Sequence, residues 1–268
     1  MMKFRHTVIL VLIFLGIFLG EVSYAVLDDN WRITKGNHFI ISFRQEVPEK
    51  FVLKTLEYAE KYYQEITENL GFSRENFWLE DNRARIYIYK DSQEYLKATG
   101  MPDWSAGTAI GRHKIIETYA SSINFFDNLL PHELAHIIFR EFINQEQNVP
   151  LWLDEGVAQY MEKTGRSHSK KIIKDALNDN TFFELTDLAK IDIRTEKDDA
   201  RVHLFYAESL SVVDFLIKEL APYRFCNFSK ALRRGASIDD ALKAAYQDAS
   251  INNLDDLGKV WKKSLLVK

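Results

Sequence analysis

Cysteine is nearly absent from this chain: Cys226 is the single one in 268 residues. No internal disulfide can form, so stability has to come from an apolar core. Cys226 itself reads as a small buried hydrophobe rather than a reactive thiol. An excess of positive charge is also missing. The net charge is −4, with both signs scattered along the sequence, which leaves no basic stripe for a nucleic-acid partner. Internal repeats and low-complexity segments are lacking too. The apolar run at residues 8–20 stops at 13 residues, short of the roughly 20 a membrane span needs.

What is present is the composition of a folded globular protein: 46% hydrophobic, 28% charged and 13% aromatic residues. The length suits one substantial domain or one domain with two lobes. The N-terminus stands apart. Lys3, Arg5 and His6 precede the apolar run, and Ser23-Tyr24-Ala25 puts small residues at positions −3 and −1 of a cleavage site. This is the layout of a signal peptide over residues 1–25, which places the mature chain, 26–268, in the periplasm, the cell envelope or the exterior. The alternative is an uncleaved N-terminal anchor, the one membrane link the sequence offers.

Along the mature chain, residues 38–44 (HFIISFR) are β-rich and 83–90 (RARIYIYK) alternate Ile86 and Ile88 against polar neighbours, so both predict strands. Between them, apolar residues from Phe51 to Ile66 recur at helical spacing over 48–70. A short helix capped by Asp91 or Ser92 is expected over 91–99. Residues 104–119 are extended but contain Gly107 and Gly111. They read either as an edge strand able to pair with an extended peptide or as a hairpin with a glycine turn. Helices are expected over 128–144, 151–163, 170–177, 202–220, 225–234, 238–246 and 254–266. Strands first and helices after predict an α+β fold, with a mixed α/β N-terminal lobe (26–145), a helical C-terminal lobe (146–268) and the active site between them.

The chemistry is concentrated in two helices. His132-Glu133-Leu134-Ala135-His136 is an H-E-x-x-H pattern. Residues four apart on a helix share a face, so His132 and His136 can turn ring nitrogens to one metal ion. Glu133 is rotated by about 100° and flanks that ion as the general base of a zinc peptidase. The surrounding helix surface is apolar, from Leu129 and Leu130 to Phe139, so two imidazoles and an acid there need a partner. A catalytic zinc site takes a third protein ligand. A third histidine six residues past the second is ruled out, because Phe139 and Phe142 fill the positions that pattern requires. A carboxylate from the second helix remains, Glu155 or its neighbour Asp154. Zinc suits two imidazoles and a carboxylate, although cobalt or nickel would also fit.

Three segments carry a family resemblance: HELAH (132–136), LWLDEGVAQY (151–160) and FYAESLSVVDFL (205–216), with a weaker echo in 228–246. Together they resemble the gluzincins, specifically bacterial peptidases of the MA-like group, over most of the chain after about residue 104. The resemblance implies a thermolysin-like zincin fold with His132, His136 and Glu155 as ligands of one Zn²⁺ and Glu133 as base and proton shuttle. It also implies an oxyanion donor near the metal, for which Tyr206 is the candidate and His203 the reserve. One position departs from the family. An Asp that orients a ligand His often follows the Glu ligand by four residues, and here that position is Gln159, a weaker orienter.

The implied function is a zinc metallopeptidase that hydrolyses peptide bonds in peptide or protein substrates. The competing reading is a catalytically weak or inactive zincin module for binding or assembly in the cell envelope. The presence of Glu133 favours the first.

Overall fold

Alternating apolar residues in the N-terminal half build a sheet with one face on the core. The computed structural model describes residues 30–266 apart from 73–77, 104, 121 and 123, so the expected signal peptide lies outside the described residues. Strands β1 (Trp31–Lys35) and β2 (Phe39–Arg44) pair antiparallel around a turn closed by Gly36 N–H donating to the Phe39 carbonyl at 2.8 Å. Helix α1 (Glu49–Asn69) then carries the chain across to β3 (Ala84–Tyr89), which runs parallel to β2. A parallel pair needs such a crossover. The α1 residues Val52, Thr55, Ala59, Tyr62, Tyr63 and Ile66 are buried at the expected 3–4 spacing. They cover the sheet face that holds Phe39, Ile41, Ile86 and Ile88.

Helix α2 (Ser92–Thr99) is capped by Asp91, whose carboxylate accepts from Glu94 N–H at 2.9 Å, and it ends at Gly100 in the left-handed region. Strands β4 (Gly107–Ile110) and β5 (Ile115–Tyr119) follow. The sheet order is β1-β2-β3-β5-β4, with β5 parallel to β3 and β4 antiparallel to β5. Both readings of 104–119 therefore hold in part: the segment is a hairpin turning at Gly111, and its first strand is an edge of the sheet. Gly107 is a close-approach position, since a Cβ there would sit 2.4 Å from Leu129 Cδ2 and 2.9 Å from the Glu117 carbonyl.

Beyond the sheet the chain is mostly helical. A π-helical turn (Phe125–Leu129) leads without a break into α3 (Leu130–Ile143), three residues upstream of the expected start. Helix α4 (Leu151–Met161) packs against α3 and more extensively against the later α7. Then come α5 (Arg166–Asp179), the single turn α6 (Leu185–Leu188) and α7 (Asp199–Asp214), which ends in a second π turn (Phe215–Glu219). The chain closes with α8 (Pro222–Arg233), α9 (Ile238–Tyr246) and α10 (Leu254–Leu265), the last two capped by Ser237 and Asn253. The buried Trp261 ties α10 to α7 by donating its indole N–H to Ser211 Oγ at 3.0 Å. This is the α+β architecture expected: a five-stranded sheet with a mostly helical remainder.

Gly156 decides how closely α7 lies on α4. A Cβ there would meet the Ser209 carbonyl at 2.4 Å and Val213 Cγ2 at 2.7 Å. With only a hydrogen at that point the two backbones touch, and the α7 side chains come within reach of the residues flanking Gly156.

Candidate metal centre

Helices α3 and α4 bring the expected ligands together. His132 and His136, one turn apart, hold their Nε2 atoms 3.1 Å from each other. Glu155 of α4 places Oε2 at 3.9 Å from both, so the carboxylate sits at the apex of a near-symmetric triangle. All three residues are buried and their ligating atoms lie within 4.8 Å of one another. Two nitrogens on a tetrahedral zinc, each about 2.0–2.1 Å from it, stand about 3.3 Å apart. The imidazole pair matches that spacing, and the carboxylate lies slightly outside it.

The outer ring nitrogens decide what the inner ones offer. His132 Nδ1 lies 2.7 Å from Glu162 Oε1, and His136 Nδ1 lies 3.1 Å from Asp154 Oδ1. The second contact is close, but its angles are not those of a formed hydrogen bond, and both of its atoms lack another partner. Carboxylates only accept, so His132 Nδ1 carries its proton and His132 Nε2 presents a lone pair. That lone pair faces His136 Nε2 at 3.1 Å, a spacing that a proton held on His136 satisfies and that a metal cation would satisfy in its place. Glu155 Oε2 is buried without a hydrogen-bond partner as well. The donor set therefore fits a divalent metal such as zinc.

The charges agree. Burial alone would lower the His136 imidazole, but Asp154 beside it, then Glu155 and Glu133, push it up to about 9. Burial pushes the Glu155 carboxyl up, against the pull of His136 and His132. Glu133 is raised the same way, again opposed by the two histidines, and neither of its oxygens has a hydrogen-bond partner. Asp154 goes the other way: burial would raise it, but His136 and Arg140 hold it below the usual carboxylate range. Arg140 Nε donates to Asp154 Oδ2 at 2.9 Å. Asp154 is thereby committed to Arg140 and the outer edge of His136, which leaves Glu155 as the carboxylate that faces both Nε2 atoms.

The two oxyanion candidates part company. Tyr206 on α7 is half-buried, and its phenol is pushed up first by burial and then by the charges of Glu155 and Glu162. His203, one turn earlier, sets its ring edge-on to His168 of α5, with 5.9 Å between centroids. Gln159 does not take the orienting role the sequence suggested for its position. The outer nitrogens of His132 and His136 face Glu162 and Asp154 instead.

Glu162, Arg140 and the outer contact of Asp154 are not recognised from the motif alone. A periodicity signal exists for two of them: Glu162 is two turns after Glu155, and Arg140 is one turn after His136, so each lies on its helix's metal-facing side. A third feature joins the sheet to the site. Tyr95 donates its hydroxyl to Ser105 Oγ at 2.7 Å, and Ser105 donates to the Gly107 carbonyl at 3.0 Å. The Tyr95 phenol, raised chiefly by burial, also feels the charge of Glu133. The start of edge strand β4 is thus fixed near the expected base.

A family model described as the Peptidase MA superfamily matches residues 80–267. No curated protein matches the chain. Among solved structures, that of yeast LTA4 hydrolase in complex with bestatin is similar, at 13% sequence identity and a TM-score of 0.48. The similarity covers 86% of this chain and 39% of that one, so the chain spans about two fifths of that protein's length.

Proposed function

The chain belongs to the Peptidase MA superfamily, and on that premise we propose that it is a zinc-dependent metallopeptidase that hydrolyses peptide bonds. The observation that carries the reading is the buried triangle of His132 Nε2, His136 Nε2 and Glu155 Oε2, with the unpartnered Glu133 carboxylate beside it. Zinc held by those three side chains supplies a Lewis acid that polarises a carbonyl and lowers the pKa of water. Glu133 Oε1 and Oε2 have no competing donor, so the carboxylate is free to take a proton from the attacking water and pass it to the leaving nitrogen. As the C–N bond breaks, the carbonyl carbon keeps the hydroxyl and the amine leaves neutral. The Tyr206 hydroxyl, kept protonated by its raised pKa, donates to the oxygen that gains charge at the tetrahedral stage. Substrate lies along β4, whose position Tyr95 and Ser105 fix.

The same reading makes residues 26–145 and 146–268 two lobes of a thermolysin-like layout that meet at the cluster. Residues 1–25 act as the export signal, so the substrates are peptides or proteins met outside the cytoplasm.

The test is metal analysis together with peptide hydrolysis. The parent should hold close to one zinc per chain and lose activity to a chelator. Glu133→Gln should keep the zinc and lose turnover by about 10²-fold or more. Peptide cleavage by Glu133→Gln at the parental rate would remove the mechanism.

A further inference from the structure

Pro131 stands immediately before the first metal histidine. In an unbroken α-helix the N–H of residue 131 would bond to the carbonyl of Asp127, and proline has no N–H. That carbonyl accepts the backbone N–H of Lys163 instead, at 2.8 Å. The turn upstream is π-helical, with Leu130 N–H donating to the Phe125 carbonyl. The Phe126 carbonyl is therefore also released, and the Tyr62 hydroxyl donates to it at 2.7 Å. Two further bonds hold the same crossing. Lys163 Nζ donates to Glu65 Oε2 at 2.6 Å, and Thr164 Oγ1 donates to Asn128 Oδ1 at 2.6 Å.

The residue this crossing holds is Glu162, the cap of α4. Its backbone leaves the helix (φ −61°, ψ 144°), and its Oε1 lies 2.7 Å from His132 Nδ1. Its side chain is only 23% exposed. We propose that Glu162 is the positioning residue of His132. Its carboxylate accepts the Nδ1 proton and fixes the tautomer that turns the Nε2 lone pair to Glu155 and His136. The role comes from the helix cap, anchored through the carbonyl that Pro131 leaves open, and not from Gln159 one turn earlier. This inference rests on the zinc reading above.

The experiment measures zinc affinity by competition with a chromogenic chelator, alongside the melting temperature of each metal-free protein. Glu162→Gln keeps the shape and removes the charge. It should weaken zinc binding about 10–100-fold with an unchanged metal-free melting temperature, which a purely structural contact would not do. Gln159→Ala should leave the affinity at the parental value. Parental affinity in Glu162→Gln, or an equal loss in Gln159→Ala, overturns the assignment while leaving the metal centre standing. A parent that binds no zinc overturns the metal centre and this assignment with it.

Discussion

Among the described residues two places bury carboxylates out of reach of water, and they answer that burial with different neighbours. At the metal centre, Glu133, Asp154 and Glu155 are packed around His132, His136 and Arg140. On the middle of α7, Glu208 is fully buried with one formed bond, from Phe183 N–H to Oε1 at 3.0 Å, and Oε2 has no partner. Burial, only partly offset by that bond and by Lys262, pushes Glu208 up to about 8. Both places shut their carboxylates away from solvent. The difference lies in the neighbours: His136 and Arg140 hold Asp154 below the usual carboxylate range, and the two imidazoles pull against the burial that raises Glu133 and Glu155, whereas Glu208 has a backbone N–H and the charge of Lys262 against burial and is neutral near pH 7.

His136→Ala should produce the largest change, because it removes a member of the His132–His136–Glu155 cluster and the neighbour of Asp154 together. Zinc content and peptide hydrolysis should both fall to background. Leaving buried carboxylates unanswered should cost about 3–5 kcal/mol in denaturant unfolding. A stable, active His136→Ala protein would show that the acids of the centre need no cation, and the contrast would collapse.

Glu208 is next and is tested by pH. The folded protein holds this proton to about pH 8, whereas the unfolded chain releases it near the ordinary value of 4.5. The stabilisation is therefore complete below 4.5 and is lost as pH rises through 8. Unfolding free energy should decline across that window by a few kcal/mol at most, because a tenfold difference in proton affinity between the folded and unfolded chain is worth about 1.4 kcal/mol. Glu208→Gln should flatten that part of the profile while peptide hydrolysis continues. An unchanged slope in Glu208→Gln would mean that Glu208 is already ionised across that window.

Gly156→Ala should have the smallest effect on stability, about 1–3 kcal/mol for forcing a methyl against the Ser209 carbonyl. It sharpens the comparison because it pushes α7, and with it Tyr206, away from α4. Turnover should drop more than zinc affinity does, read as kcat beside a chelator titration. Equal losses in both would mean that α7 shapes the ligands rather than the oxyanion donor.

Much of the site is legible in the sequence because helix periodicity is a strong rule. His132, Glu133 and His136 sit on one apolar helix, and Glu155 lies in an apolar run with few other polar residues. The choice between Asp154 and Glu155 is not legible from spacing. Neighbouring helix positions point about 100° apart, and only the packing of α4 on α3 decides which of them faces the histidines. Glu162 keeps the turn spacing from Glu155, but its contact with His132 is made from a helix cap held by the long-range bond to Asp127, which spacing alone does not show. In the fold, the helices from α7 onward and strands β2 and β3 lie close to their expected bounds. Strand β1 escapes a reading by pattern. Its sequence, WRITK, mixes polar and apolar residues, and it forms as an edge paired only to β2 among the described strands.

The bond from Lys163 N–H to the Asp127 carbonyl also bears on how the centre comes together. It joins the two ends of the chain segment that carries His132, Glu133, His136 and Glu155, making that segment a clasped loop. Loop-closure entropy grows only with the logarithm of length, so one clasp at the rim gathers all four residues at modest entropic cost. Much of the cluster is then gathered within one stretch of chain, while α1 and the later α7 supply the packing around it.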